Sequence, residues 1–400
     1  MNNGGLSRAR LDRMHDVMAG HVAALDVPGV VTLVSRRGEV HVDAIGTKAS
    51  GGSEPMRRDT IFRVASVTKP IVAAAAMILV EECKLRLDEP VDPWLPELAD
   101  RQVLRAIDGP LDDTVPANRP ISLRDLMTFR LGIGAVMVFP PRYPIQRAMA
   151  EAGIAPGPML PTHASNELME RFGSLPLAHH PGEKWMYNSG SDILGVLISR
   201  AIGTSLEEFL RERIFVPVSM NDTAFSVPES KLDRLPTAYW TNFETGEFEV
   251  FDGVADSRWA RPPLFESGAG GLVSTADDLL TFGQMILNGG RLGSERILSR
   301  PSVELMTTDH ITPAQKAVSG FFPGFWDNHG WGFGGAIVTR RDDLASTGRY
   351  GWDGGYGTSW YVDPKEGLVG ILLTQRVWDA TGIPRVLLDF WTSAYAAISD

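Results

Sequence analysis

Apolar residues recur at helical spacing over residues 11–25, with polar positions between them, which predicts an amphipathic helix. Residues 30–35 are rich in β-branched side chains, Arg36-Arg37-Gly38-Glu39 supplies a turn, and 40–45 follow as a second strand. This is the pattern of a β-hairpin. The run 71–80 is apolar all round, so the helix it forms belongs in a core. Pro70 agrees with a helix start there, because the first turn has no use for its missing amide donor.

From about residue 88 to 256 the character changes. Prolines are frequent, strand signals are thin, and helical patches appear at 123–129, 164–172 and 206–214. The clearest is 191–202, where Ile193, Leu194, Leu197, Ile198 and Ala201 share one face and Gly203 stands where a helix stop belongs. Beyond it, the glycines of 267–274 allow close backbone approach, and Thr275 with Asp278 makes a capping-box-like start for a helix ending near 287. Strands are predicted at 332–339, 359–362 and 369–374, and a last amphipathic helix at 383–398. Strands at both ends and helices between them imply one sheet built from both termini. The expected organisation is an α/β (α+β) domain from 1–87 and 257–400, with 88–256 as a mostly helical insertion.

Four hundred residues exceed one ordinary core, in keeping with that division. A net charge of -11 argues against a nucleic-acid or anionic-membrane partner. The single cysteine, Cys83, permits no intramolecular disulfide and is expected to be a small buried hydrophobe. The segment from Met1 to Arg8 lacks the apolar core of a signal peptide, and 71–80 is too short to span a bilayer, so the chain reads as cytoplasmic. The histidines are dispersed and Asp277-Asp278 reads as a helix start, so neither a metal site nor a cofactor is expected.

The candidate chemistry begins with Ser66 and Lys69, which stand three residues apart at the start of the buried helix. At that spacing both side chains lie on one face. A serine hydroxyl needs a base to take its proton, and a lysine can serve only if burial lowers its pKa. No other lysine in the chain has a serine three residues before it.

Two further segments complete a constellation: Pro181-Gly182-Glu183-Lys184-Trp185-Met186-Tyr187-Asn188-Ser189, and Tyr350-Gly351-Trp352-Asp353-Gly354-Gly355-Tyr356-Gly357-Thr358, which leads into a strand. In this order and at these separations they resemble the serine β-lactamase and penicillin-binding protein superfamily. The likeness is to the class C β-lactamase-like branch, above all the family VIII carboxylesterases. It implies a β-lactamase/transpeptidase-like fold, an antiparallel sheet flanked by helices with a helical insertion. It also implies Ser66 as nucleophile, Lys69 as general base and Tyr187 as proton shuttle. A tyrosine beside a lysine ammonium can lose its proton below its free pKa. The implied oxyanion hole is the backbone amides of Ser66 and Gly355, and the implied substrate contacts are Trp352, Gly354, Asn188 and Ser189.

The departures from that pattern are informative. Where β-lactamases have Lys-Thr-Gly, this chain reads Trp352-Asp353-Gly354. The tryptophan offers no cation for a substrate carboxylate, and an aspartate beside it would repel one. Ser189 stands where β-lactamases have asparagine, and Thr128-Phe129-Arg130-Leu131-Gly132 replaces a His-Thr-Ser-Gly run as loop variation. The expectation is a serine hydrolase of short-chain, uncharged carboxylic esters working through an acyl-enzyme. The alternatives are a β-lactamase, D-amino-acid peptidase or amidase on the same scaffold, and a non-catalytic binding protein. Phe139, Tyr143, Phe321, Phe322, Phe325 and Trp326 are candidate pocket walls or ordinary packing. The sequence leaves the oligomeric state open.

Overall fold

The computed structural model describes residues 4–242, 244–378 and 382–400; the first three residues of the N-terminal segment lie outside this set. The sheet-forming elements are β1 (Gly29–Arg36), β2 (Glu39–Gly46), β3 (His329–Trp331), β4 (Ala336–Val338), β5 (Tyr350–Gly354), β6 (Thr358–Asp363) and β7 (Leu368–Thr374). They form one seven-stranded antiparallel sheet in the order β3-β4-β5-β6-β7-β1-β2. The N-terminal hairpin thus joins the C-terminal meander through β1 and β7, with Val30 opposite Thr374 and Arg36 opposite Leu368.

Both faces of β1 are buried, and its alternation assigns them to two cores. Val30 and Val34 face a cluster with Met14 and Met18 of α1 (Arg8–Ala23) and with Phe390 and Trp391 of the C-terminal helix Arg385–Ala396. Val31 and Leu33 face the larger cluster, which holds α2 (Thr68–Glu81), α3 (Ser189–Ile202) and α4 (Ala276–Leu287). That helix α2 is buried from Thr68 through Leu79, as an all-round apolar sequence requires. The C-terminal helix is α5.

Residues 88–256 hold α3, shorter helices such as Pro144–Glu151 and Ser165–Ser174, and two small hairpins. Leu194 and Leu197 of α3 belong to the same apolar cluster as Ile71 and Val72 of α2, so the core runs on from the sheet side into this region.

Several elements differ from the sequence pattern. The predicted strand at 332–339 is a hairpin, β3 and β4, whose turn is Gly332 to Gly335. The Tyr350 segment does not merely lead into a strand; it is strand β5. Cys83 is exposed, not buried: it follows the last turn of α2 in the left-handed region with φ 58° and faces solvent.

Candidate active site

Ser66 lies in a single 3-10 turn, Ala65–Val67, that runs directly into α2. Ala65 holds φ 46°, a strained value for a residue with a Cβ, and turns the chain from the short strand Phe62–Arg63 into the helix. The glycine-rich segment fixes this turn. Phe62–Arg63 pairs with Val273–Ser274, the Val64 amide donates to the Leu272 carbonyl at 3.0 Å, and the Leu272 amide donates to Thr68 Oγ1 at 3.2 Å.

Lys69, one turn along α2, is 1% exposed, and its Nζ reaches Ser66 Oγ at 2.8 Å and the Ala269 carbonyl at 2.6 Å. Burial depresses its pKa to about 7, against the pull of the Asp192 carboxylate, which favours the ammonium. A neutral amine here donates one proton to Ala269 and turns its lone pair to Ser66.

Tyr187 comes from the segment before α3. The Met186 amide donates to the Phe129 carbonyl at 2.8 Å, and the Phe129 ring meets the Tyr187 ring edge to face at 5.6 Å. The Tyr187 hydroxyl donates to Ser66 Oγ at 2.8 Å, and the Trp352 Nε1–H donates to the Tyr187 oxygen at 2.7 Å. Burial pushes the Tyr187 pKa up to about 12, outweighing its hydrogen bonds with Ser66, Trp352 and Asn188. This direction runs against the expectation of a tyrosine that can share or lose its proton beside an ammonium. Burial favours the neutral form of both groups.

Asp192 was not among the candidates from sequence. It sits in the first turn of α3, buried, accepting from Ser267 Oγ at 2.6 Å and from the Ala269 amide at 3.1 Å. Burial raises its pKa, and Lys69 opposes that shift. Asp192 therefore holds by its amide the residue whose carbonyl holds Lys69. An Asp five residues after Tyr187, directly before the apolar run Ile193-Leu194-Gly195-Val196-Leu197-Ile198, is the signal that could have found it.

The end of β5 lies against the nucleophile turn. Thr358 Oγ1 donates to the Val64 carbonyl at 2.9 Å, and a Cβ on Gly354 would collide with both groups. Gly354 thus serves close backbone approach. A Cβ on Gly355 would meet open space, and neither the Gly355 nor the Ser66 amide has an acceptor among the described residues. Asn188 is half-buried at the N-cap of α3 and Ser189 is buried at its first position. Neither forms a hydrogen bond with the side chain of Ser66 or Lys69 among the described residues.

Asp353 points to the opposite face of β5 from Trp352, as strand alternation demands. It accepts from Ser359 Oγ at 2.5 Å and Tyr361 OH at 3.0 Å, so the expected repulsion of a substrate carboxylate does not arise from it.

Around Tyr187 and Trp352 the aromatic residues form one cluster with Phe129, Trp185, Trp331, Phe321, Phe325 and Trp326. Phe321 lies nearly parallel to Trp352 at 5.9 Å. Phe129, expected as loop variation, is fully buried at its centre. Of the other candidate walls, Phe139 is exposed and Tyr143 packs against the main core.

A buried amine and a phenol converging on one serine oxygen, at the foot of an antiparallel sheet, define a serine hydrolase of the β-lactamase fold. The sequence comparison agrees: the β-lactamase family model matches residues 14–382, and the chain belongs to that family. Esterase EstB of Burkholderia gladioli is 30% identical over 397 residues, covering 94% of this chain and 92% of its own. Protein Rv1367c of Mycobacterium tuberculosis is 37% identical over 358 residues, covering 88% and 86%. Among solved structures, EstCE1, described as a hydrolase with promiscuous acyltransferase activity, superimposes with a TM-score of 0.80 at 25% identity over 97% of this chain and 99% of its own. The protein is an esterase-like serine hydrolase.

Proposed function

We propose that the protein hydrolyses short-chain carboxylic esters, uncharged around the scissile bond, through an acyl-enzyme on Ser66. The observation that carries this reading is the pair of 2.8 Å contacts placing a lysine of depressed pKa and a tyrosine of raised pKa on the same hydroxyl oxygen. Groups whose environments push their pKa values apart divide naturally into base and acid.

In this reading neutral Lys69 takes the Ser66 proton as Oγ bonds to the ester carbonyl carbon. The carbonyl oxygen becomes an oxyanion held by the Ser66 and Gly355 amides. As the carbon–oxygen bond to the alcohol breaks, Tyr187 gives its proton to the departing oxygen, and the Lys69 ammonium, whose Nζ lies 4.7 Å from the Tyr187 ring centroid, returns a proton to the phenolate. Water then attacks the acyl carbon and loses a proton to the same pair. The acid leaves, and Ser66 regains its proton.

Trp352 supports the substrate class. Its only donor is engaged by Tyr187, so nothing on that side chain is left to hold a carboxylate next to the leaving group. Penicillins and peptide C-termini carry such a carboxylate, and neutral esters do not. A cytoplasmic location stays part of this reading, since one cysteine allows no intramolecular disulfide. The test is parallel turnover of p-nitrophenyl butyrate and a chromogenic cephalosporin, with Ser66→Ala as control. Ester turnover abolished by the substitution supports the reading, and ester turnover that survives it excludes Ser66.

A further inference from the structure

Two apolar clusters flank the nucleophile turn. Tyr187, Trp352 and Phe321 belong to one; Ala65, Tyr356, Trp259 and Leu160 belong to the other. In the proposed reaction the leaving alcohol must face Tyr187 and the carbonyl oxygen must face the Ser66 and Gly355 amides. The acyl substituent is then left on the side of the second cluster, where Leu160 and Phe251 are its partly exposed members.

At the outer end of that cluster stands Arg258. Its guanidinium lies 5.6 Å from the Phe251 ring centroid, and its Nη1 lies 3.4 Å from Met159 Sδ. The Phe251 ring is 5.5 Å from that of Tyr356, whose hydroxyl donates to the Pro158 carbonyl at 2.9 Å. The 158–160 segment therefore runs from Arg258 back toward Ala65. The nearby carboxylate, Asp252, is taken by the buried Arg63 and by Ser257 Oγ, and it receives only the backbone amide of Arg258. Among the described residues no carboxylate lies within ion-pair distance of the Arg258 guanidinium. The side chain is exposed, its contacts are one sulfur and one ring, and most of its donors are free.

We infer that Arg258 receives an anionic group at the far end of the acyl chain, so that the preferred esters are half-esters of dicarboxylic acids. The inference rests on the esterase reading above and on its direction for the acyl group. It is compatible with the absence of a cation beside the leaving group, because the two charges sit at opposite ends of the substrate. A planar guanidinium binds a carboxylate through paired donors, which lysine does not reproduce.

The test compares monoethyl glutarate, adipate and pimelate with the ethyl esters of the matching monoamides, in wild type, Arg258→Gln and Arg258→Lys. The expected result is a wild-type kcat/KM ratio favouring the half-ester at one chain length. That ratio should fall about tenfold in Arg258→Gln, through KM, and partly recover in Arg258→Lys. A ratio that does not move, because both esters are affected alike or neither is, overturns the inference. Calorimetric titration with adipate monoamide separates it from the esterase reading. Binding weakened by Arg258→Gln upholds the anion contact even where no ester is cleaved, and equal binding overturns it even where esters are cleaved.

Discussion

The indole nitrogen of Trp352 lies 2.7 Å from the Tyr187 hydroxyl oxygen, so the residue standing where the β-lactamase pattern has a lysine is tied to the proton shuttle. Trp352→Phe keeps an aromatic side chain, a smaller one, and removes the donor. Turnover of a poorly activated ester should fall about tenfold, the worth of one buried hydrogen bond of ~1.5 kcal/mol. Tyr187→Phe should cost about a hundredfold or more. In the double variant the Trp352 effect should vanish, since its partner oxygen is gone. Additive losses in the four-membered kinetic cycle would show that the two side chains act separately.

Lys69 sets the pH dependence. With a pKa lowered to about 7 by burial, it becomes a base only as pH rises through that value, so kcat/KM should climb along an acidic limb near pH 7. The Asp192 charge favours the ammonium, so Asp192→Asn should move the limb to lower pH. Asparagine can still accept from Ser267 and Ala269 through its carbonyl oxygen. A limb that stayed in place or moved upward would contradict the coupling.

The same shift has a consequence for stability. The unfolded chain holds the Lys69 proton up to about pH 10.5 and the folded chain releases it near 7, so unfolding takes up a proton between these values. Stability from this group therefore rises with pH across that window and is lowest below it. Lys69→Met removes the penalty and should raise the thermal midpoint at pH 6 by about 2 °C or more. A lower midpoint than wild type at pH 6 would count against a strained buried ammonium.

Gly354 offers a geometric test. A Cβ there meets the Val64 carbonyl and the Thr358 hydroxyl, so Gly354→Ala must push β5 away from the nucleophile turn. Overpacking of this kind costs ~1–3 kcal/mol. Turnover should fall by more than the loss of folded protein explains, as measured by kcat alongside circular dichroism and thermal melting.

Much of this was legible in the sequence because the informative signals are local. The Ser66–Lys69 spacing needs only one helical turn to bring the groups together, and the hairpin at 29–46 needs only its own alternation and turn. What escaped is non-local. Asp192 acts through Ala269, far away in the chain, and its burial cannot be read from one helix. The Tyr350–Gly354 strand carries two glycines and an aspartate, poor strand formers in isolation, and becomes a strand because β4 and β6 flank it. Phe129 reads as loop substitution until its ring is seen beneath Tyr187. The apolar helix before Cys83 suggests burial, but the turn after that helix faces water.

The most direct measurement for the whole account is the site of acylation. A fluorophosphonate probe should form one adduct per chain, located by peptide mass spectrometry on the peptide carrying Ser66, at a rate that rises with pH through about 7 as Lys69 loses its proton. An adduct on another serine, with Ser66→Ala labelled as fast as wild type, would contradict it.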